Sequence, residues 1–176
     1  ASCPNLEDRR KLFSHSIQAI TEVVEAVNVV KKPLWAKLSP NTPELPDIAD
    51  AAHKAGAEAV VIANTVLGMA VDIESRKPIL GANRGGLSGP AIRPIAVRAV
   101  FDTHEAHPGL PIIGVGGINS VEDALEFILA GATGLQIGTA TFKDPRICKK
   151  VIAGLSRWCE SHAVNRISDL IGGAHD

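Results

Sequence analysis

Pro111-Ile112-Ile113-Gly114-Val115-Gly116-Gly117-Ile118 is a short apolar run ending on paired glycines, and Leu135-Gln136-Ile137-Gly138-Thr139 repeats the design. The first run passes into Asn119-Ser120-Val121-Glu122-Asp123, a helix start in which Ser120 can cap and Asp123 sits three residues on. A buried strand that stops at Gly-Gly and turns into a helix brings bare backbone N–H groups to the positive end of that helix. Such a turn is a ready seat for a phosphate. Two of them on neighbouring parallel strands suit the phosphate site that follows the seventh and eighth strands of a (β/α)8 barrel. Paired glycines after a strand also occur merely to allow tight packing, so the stretch alone leaves both readings open.

Upstream, apolar residues fall at Ile17, Ile20, Val23, Val24 and Val27, one helical face beginning after Ser16. Ser2 to Arg10 has no period and reads as a loop. Leu34-Trp35-Ala36-Lys37-Leu38 is a short strand, closed by Ser39-Pro40-Asn41. Thr42 as cap, with Pro43 at the first helical position, predicts a helix running to Gly56. Ala59 to Ala63 is the next buried strand. Between Leu67 and Ser88, glycines and charges without a helical period predict a long excursion with short strands, a kind of loop that tends to be functional.

Pro90 to His107 reads as a helix, with Pro94 tolerated in its first turn. Ser120 to Ala130 is a helix ended by Gly131. Asp144-Pro145 predicts the cap of a last long helix with Ile147, Val151, Ile152, Leu155 and Trp158 on its apolar face, and a short segment follows from Ile167 to Ile171. Residues 55–65 and 130–139 share one unit: a helix end, a glycine turn, a strand and a hydroxyl residue.

Four strands alternating with helices imply parallel pairing and right-handed crossovers. The expected fold is α/β, about the second half of a (β/α)8 TIM barrel, with residues 1–176 as one unit. A doubly wound open sheet is the rival, but its glycine fingerprint belongs after the first strand. The chain's 176 residues fall short of the roughly 250 of a whole barrel. Tyrosine is absent and aromatics are scarce, so the core is aliphatic, as under a helix-covered parallel sheet.

A formal net charge of −1 with scattered basic residues argues against nucleic acid and anionic membranes as partners. No apolar run reaches the roughly 18 residues of a membrane span. Cys3, Cys148 and Cys159 are too few and too irregular for a disulfide framework or a metal knuckle, which points to a reducing compartment, the cytoplasm. His104 and His107 lie three apart without a third ligand, so no metal is expected.

The chemically unusual residues gather at strand ends. Lys37 stands on an apolar strand, where an ammonium is costly unless it meets an anion; a lysine reaching past the strand edge to water is the alternative. Asn64-Thr65 offers an amide and a hydroxyl after the second strand. Gly85-Gly86-Leu87-Ser88-Gly89 makes another backbone nest before Pro90. Together with Gly116-Gly117 and Gly138-Thr139, these predict a phosphate-bearing cofactor. Cys3 precedes Pro4 and is extended; as a thiolate it suits a nucleophile or base, and otherwise it is an idle loop cysteine.

Ser2-Cys3-Pro4-Asn5, Ala36-Lys37-Leu38-Ser39-Pro40-Asn41, Ala63-Asn64-Thr65, the string from Gly85 to Pro94, Gly116-Gly117-Ile118 and Ile137-Gly138-Thr139-Ala140 occur in the order seen in dihydroorotate dehydrogenases. The chain resembles that family over nearly its whole length. The cysteine is similar to class 1 enzymes; Leu67-Gly68-Met69 and Arg76-Lys77-Pro78-Ile79-Leu80 most resemble the class 1B catalytic subunit, whose partner carries FAD and an iron–sulfur cluster. The resemblance implies FMN as cofactor and oxidation of dihydroorotate to orotate in pyrimidine biosynthesis. Cys3 would be the base at C5 of the substrate, and Lys37 would lie by N1 and O2 of the flavin. Ala63 and Gly89 would line the flavin, and Gly116, Gly117, Gly138 and Thr139 would hold its phosphate. Asn64, Thr65 and Asn5 would bind the pyrimidine and its carboxylate.

Two departures stand out. Leu6-Glu7-Asp8-Arg9-Arg10-Lys11 replaces the family's glycine-rich lid, and the family's first four strands would precede Ala1. The chain is thus expected to be the carboxyl-terminal part of a longer enzyme, inactive alone. A homo-oligomer is expected as well, since a half-barrel exposes two sheet edges. The flavin domain of dihydropyrimidine dehydrogenase is a close relative with the same Ser-Cys-Pro. A non-catalytic phosphate-binding half-barrel is the reading from another class.

Overall fold

Helix α1 (Ile17–Asn28) leads to strand β1 (Trp35–Lys37), helix α2 (Leu45–Lys54) and strand β2 (Ala59–Ile62). The excursion holds β3 (Val66–Gly68), β4 (Val71–Asp72), β5 (Lys77–Pro78) and β6 (Gly85–Leu87). A 3-10 turn, Pro90–Ile92, runs into α3 (Arg93–Ala106), followed by β7 (Ile112–Val115), α4 (Val121–Leu129) and β8 (Gly134–Gln136). Then come α5 (Ala140–Lys143), α6 (Ile147–Ser161) and a 3-10 turn, Ile167–Leu170. The computed structural model describes residues 13–175; the expected loop at 2–10, with Cys3 and Asn5, lies outside them.

The main sheet has the strand order β1-β2-β7-β8, all parallel. Each right-handed crossover therefore steps the same way, which puts its helix on the same face every time. A doubly wound sheet would reverse direction at a switch point. The four β/α units thus form half of a (β/α)8 barrel, as the alternation predicts. The shared unit is also repeated in three dimensions. Ala57 N–H reaches Ala52 O at 3.0 Å and Ala132 N–H reaches Phe127 O at 2.9 Å, closing the two helix ends alike. Glu58 and Thr133 then each donate, at 2.8 Å, to a carbonyl beside or within the preceding strand, Leu34 and Ile112.

Alternation along the strands separates two faces. Ala36, Leu38, Val60, Ile62 and Ile112 join the core formed with Ile20, Ile48, Val100 and Phe127 of the helices. Phe127 is fully buried, and a Cβ on Gly114 would come within 2.6 Å of its ring, so the strand glycine makes room for the largest core side chain. The opposite, inner face carries Trp35, Lys37, Val61, Ile113 and Gly134, with Lys37, Val61, Ile113 and Gly134 in one cross-strand row. Trp35 is 53% exposed there.

Several local expectations need correction. Thr42 does not cap α2: its hydroxyl accepts from Glu44 N–H at 3.3 Å, and the helix begins two residues later with Glu44 at the cap. Asp144 does not cap α6, whose cap is Arg146; the Asp144 carboxylate instead accepts from Arg146 N–H and pairs with Lys150. Ile152 is 66% exposed, so the buried face of α6 runs through Ile147, Val151 and Gly154. The helix expected from Pro90 opens as a 3-10 turn, because two prolines in five residues withhold N–H donors. The excursion is two antiparallel ribbons, β3 with β6 and β4 with β5. Among the described residues, no helix is long and apolar enough to cross a membrane.

Candidate functional site

A cavity of about 370 Å3 opens at the carboxyl ends of the four parallel strands. Each strand contributes through its last residue or the turn beyond it. Lys37 ends β1, and Ala63, Asn64 and Thr65 follow β2. Gly116 and Gly117 follow β7, and Gly138 and Thr139 follow β8. Gly89, before α3, completes the set. Nine sequence-predicted positions thus border one space. Cys3 and Asn5 lie outside the described residues.

The flank beyond β7 and β8 is built around backbone turns, with Asn119, Gln136 and Lys143 beside them. Gly116 and Gly117 both have positive φ, +136° and +82°. At Gly117 a Cβ would stand 2.9 Å from Gly89 O and 3.0 Å from Arg93 N, so any side chain would collide with the neighbouring turn. The N–H groups of Gly116, Gly117, Gly138 and Thr139 donate to no backbone carbonyl among the described residues. N–H donors without a carbonyl partner, on turns that line one cavity, suit a phosphate. Thr139 Oγ1 donates to Ser88 Oγ at 2.9 Å, tying the turn after β8 to the loop before α3.

The opposite flank is made of side chains. Lys37 is exposed and, among the described residues, forms no ion pair. The expectation of an ammonium buried in an apolar strand is therefore corrected: Ala36 faces the core, while Lys37 points from the inner face into the cavity. Asn64 Oδ1 accepts from Thr65 N–H at 2.7 Å. A Cβ on Gly86 would fall 2.2 Å from Thr65 Oγ1, so this glycine gives Thr65 its room. Asn41 anchors the excursion: its amide donates to Ser39 Oγ and Thr65 O, and its Oδ1 accepts from Leu67 N–H at 2.9 Å.

Behind the β7 turn, Ser120 caps α4 by accepting from Asp123 N–H at 3.1 Å. Asp123 reaches back one residue further than a capping box would, to Asn119 N–H at 2.8 Å, and also pairs with Arg93. Glu122, one residue into the helix, has its carboxyl held below the usual range by its own N–H and by the Ser120 hydroxyl.

Four polar lining residues have no site role in the sequence reading: Ser88, Asn119, Gln136 and Lys143. Two carried a signal. Gln136 is a polar residue two before Gly138 on an otherwise apolar strand, and Lys143 lies four after Thr139, on the same side of a short helix.

A family model described as dihydroorotate dehydrogenase matches residues 1–158. Among curated relatives, the catalytic subunit of dihydroorotate dehydrogenase B (NAD(+)) from Pelobacter propionicus is 47% identical over 172 residues, 97% of this chain and 56% of the relative. The subunit of the same name from Phocaeicola vulgatus is 48% identical over the same shares. That from Desulforamulus reducens is 43% identical over 99% of this chain and 57% of its own length. The chain spans little more than half the length of these relatives.

Proposed function

The chain belongs to the dihydroorotate dehydrogenase family, and from that premise we propose that residues 1–176 form the carboxyl-terminal half of an FMN-binding (β/α)8 barrel that oxidises dihydroorotate to orotate. The observation that carries the reading is the convergence of nine family-like positions on one cavity at the strand ends. A glycine turn closed to a side chain at Gly116 and Gly117, with N–H donors that meet no backbone carbonyl among the described residues, fits the phosphate of the cofactor.

When bound, FMN supplies the hydride-accepting chemistry for C6 of the substrate. Cys3 Sγ, as thiolate, takes the proton from C5, so that the C5–C6 double bond forms as proton and hydride leave. Lys37 Nζ sets positive charge beside the flavin ring, where reduction adds negative charge. Ala63 and Gly89 shape the ring's berth. Gly116, Gly117, Gly138 and Thr139 hold the phosphate by backbone and hydroxyl. Asn64, Thr65 and Asn5 orient the pyrimidine and its carboxylate. A separate electron-transfer subunit would take the electrons on to NAD(+), in keeping with the relatives' names; the family resemblance would give that subunit FAD and an iron–sulfur cluster. The half-barrel alone turns nothing over, because it holds only part of the pocket.

The test is anaerobic reduction of the full-length enzyme's flavin by dihydroorotate, followed by stopped flow across pH. Cys3→Ala should keep flavin and pyrimidine bound yet slow reduction by about 100-fold or more, the scale of a lost general base. Cys3→Ser should recover some rate only at higher pH. A protein purified without flavin, or a Cys3→Ala variant reduced at the wild-type rate, contradicts the proposal.

A further inference from the structure

Arg93 and Asp123 are thirty residues apart in sequence and meet behind the glycine turn after β7. Asp123 is 6% exposed, and its Oδ2 accepts from Asn119 N–H, the residue that ends the cavity-lining turn. A carboxylate thus stands next to backbone donors that are best suited to an anion, where its own charge opposes one. The Arg93 guanidinium answers it, pairing with Asp123 through Nη1 and with Glu126 through Nε at 3.0 Å. Arg93 also abuts the turn itself, since a Cβ on Gly117 would come within 2.8 Å of Arg93 Cβ.

We infer that Arg93 is a positioning residue of the anion seat: it neutralises Asp123, so that this carboxylate can anchor the turn through Asn119 without repelling the phosphate bound there. The inference rests on the flavin reading above but concerns charge, and charge gives it a sign. Removing Arg93 leaves a nearly buried, unanswered carboxylate beside the phosphate. Removing the charge of Asp123 leaves no such repulsion, and an asparagine there still has an oxygen to accept from Asn119. A clamp that merely held the turn in shape would lose function by either change.

The experiment measures FMN and riboflavin binding to the apo form of the full-length enzyme by flavin fluorescence, with melting temperatures alongside. Arg93→Ala should weaken FMN by about tenfold or more, the scale of leaving one charge of a pair unanswered. Riboflavin, which has no phosphate, should bind all of these proteins equally. Asp123→Asn should bind FMN at least as tightly as wild type, and adding it to Arg93→Ala should restore FMN affinity. Arg93→Lys, which keeps the charge without the planar fork, should bind nearly as wild type, and with Asp123→Asn it carries the test if Arg93→Ala does not fold. Equal loss of FMN and riboflavin, or Asp123→Asn as weak as Arg93→Ala, overturns the inference in favour of a structural clamp. If wild type binds riboflavin and FMN alike, the phosphate seat itself is wrong. If it binds neither, the flavin reading falls and the inference with it.

Discussion

The two flanks of the cavity are built from different materials. On the β7 and β8 side backbone turns dominate: Gly116 and Gly117 have neighbours within 3 Å of where a Cβ would be, while Gly138 stands open. On the β1 and β2 side the surface is side chain: Lys37, Asn64 and Thr65. A backbone flank is rigid because the fold sets it, and only added atoms disturb it. A side-chain flank carries charge and hydrogen-bonding choice, and deleting atoms alters its chemistry while sparing its frame. The first suits holding a constant group such as a phosphate; the second suits the part of a ligand whose charge changes during reaction.

The strongest way to break this contrast is to add one methyl group at Gly117. Gly117→Ala places a Cβ against Gly89 O and Arg93 N at a φ of +82°. Strain of this kind costs about 1–3 kcal/mol before any clash is counted. The full-length enzyme should melt lower and purify with little or no flavin, read from its visible spectrum. Gly138→Ala is the matched control. Nothing lies within 4 Å of its added Cβ, so the melting temperature should hold and any loss should appear in flavin affinity alone.

On the other flank, Lys37→Ala should slow flavin reduction by about tenfold or more while leaving the melting temperature nearly unchanged, because Lys37 is exposed and no burial cost is relieved. An unchanged reduction rate would show that the two flanks do not divide the work as described.

The smallest effect lies away from both flanks. Burial, with the nearby His175 as a lesser cause, holds the His104 pKa below its ordinary value, and its Nδ1 has no hydrogen-bond partner among the described residues. The folded state therefore favours neutral His104, whereas the unfolded chain takes up its proton at about 6.5. The stability contribution is complete above that pH and is lost as pH falls below it. His15, also lowered by burial, acts in the same direction. Melting temperature should decline from pH 7.5 to 5.5, less so in His104→Asn, while flavin content at pH 7.5 stays constant. A His104→Asn variant with the full wild-type slope would assign the decline elsewhere.

How much of this was readable beforehand depended on how local the cause was. The glycine turns, the Ser120 cap and the matched helix ends at Gly56 and Gly131 follow from residues within a few positions of one another, and they appear as the sequence predicts. Thr42 and Asp144 carry the same kind of local signal, yet each bonds the residue two positions on, which itself caps the helix. Proline at Pro43 and Pro145, next to each of them, allows either start, and packing of the following apolar residues chose between them. The exposure of Lys37 was not legible from its apolar neighbours, because these imply burial only when both faces of a strand are covered. Here one face is packed by helices and the other opens into the cavity.

What the sequence by itself determined is the alternation of strands and helices, the aliphatic core and the glycines at the strand ends. Each depends on intrinsic conformational freedom or on a repeating apolar pattern, and both are properties of short segments. Tertiary structure decided which strand ends meet, which face of β1 receives solvent, and that the guanidinium of Arg93 answers a carboxylate thirty residues on. Those outcomes depend on the parallel register of the sheet and on the direction of its crossovers, which bring distant residues within bonding distance only when the whole arrangement closes.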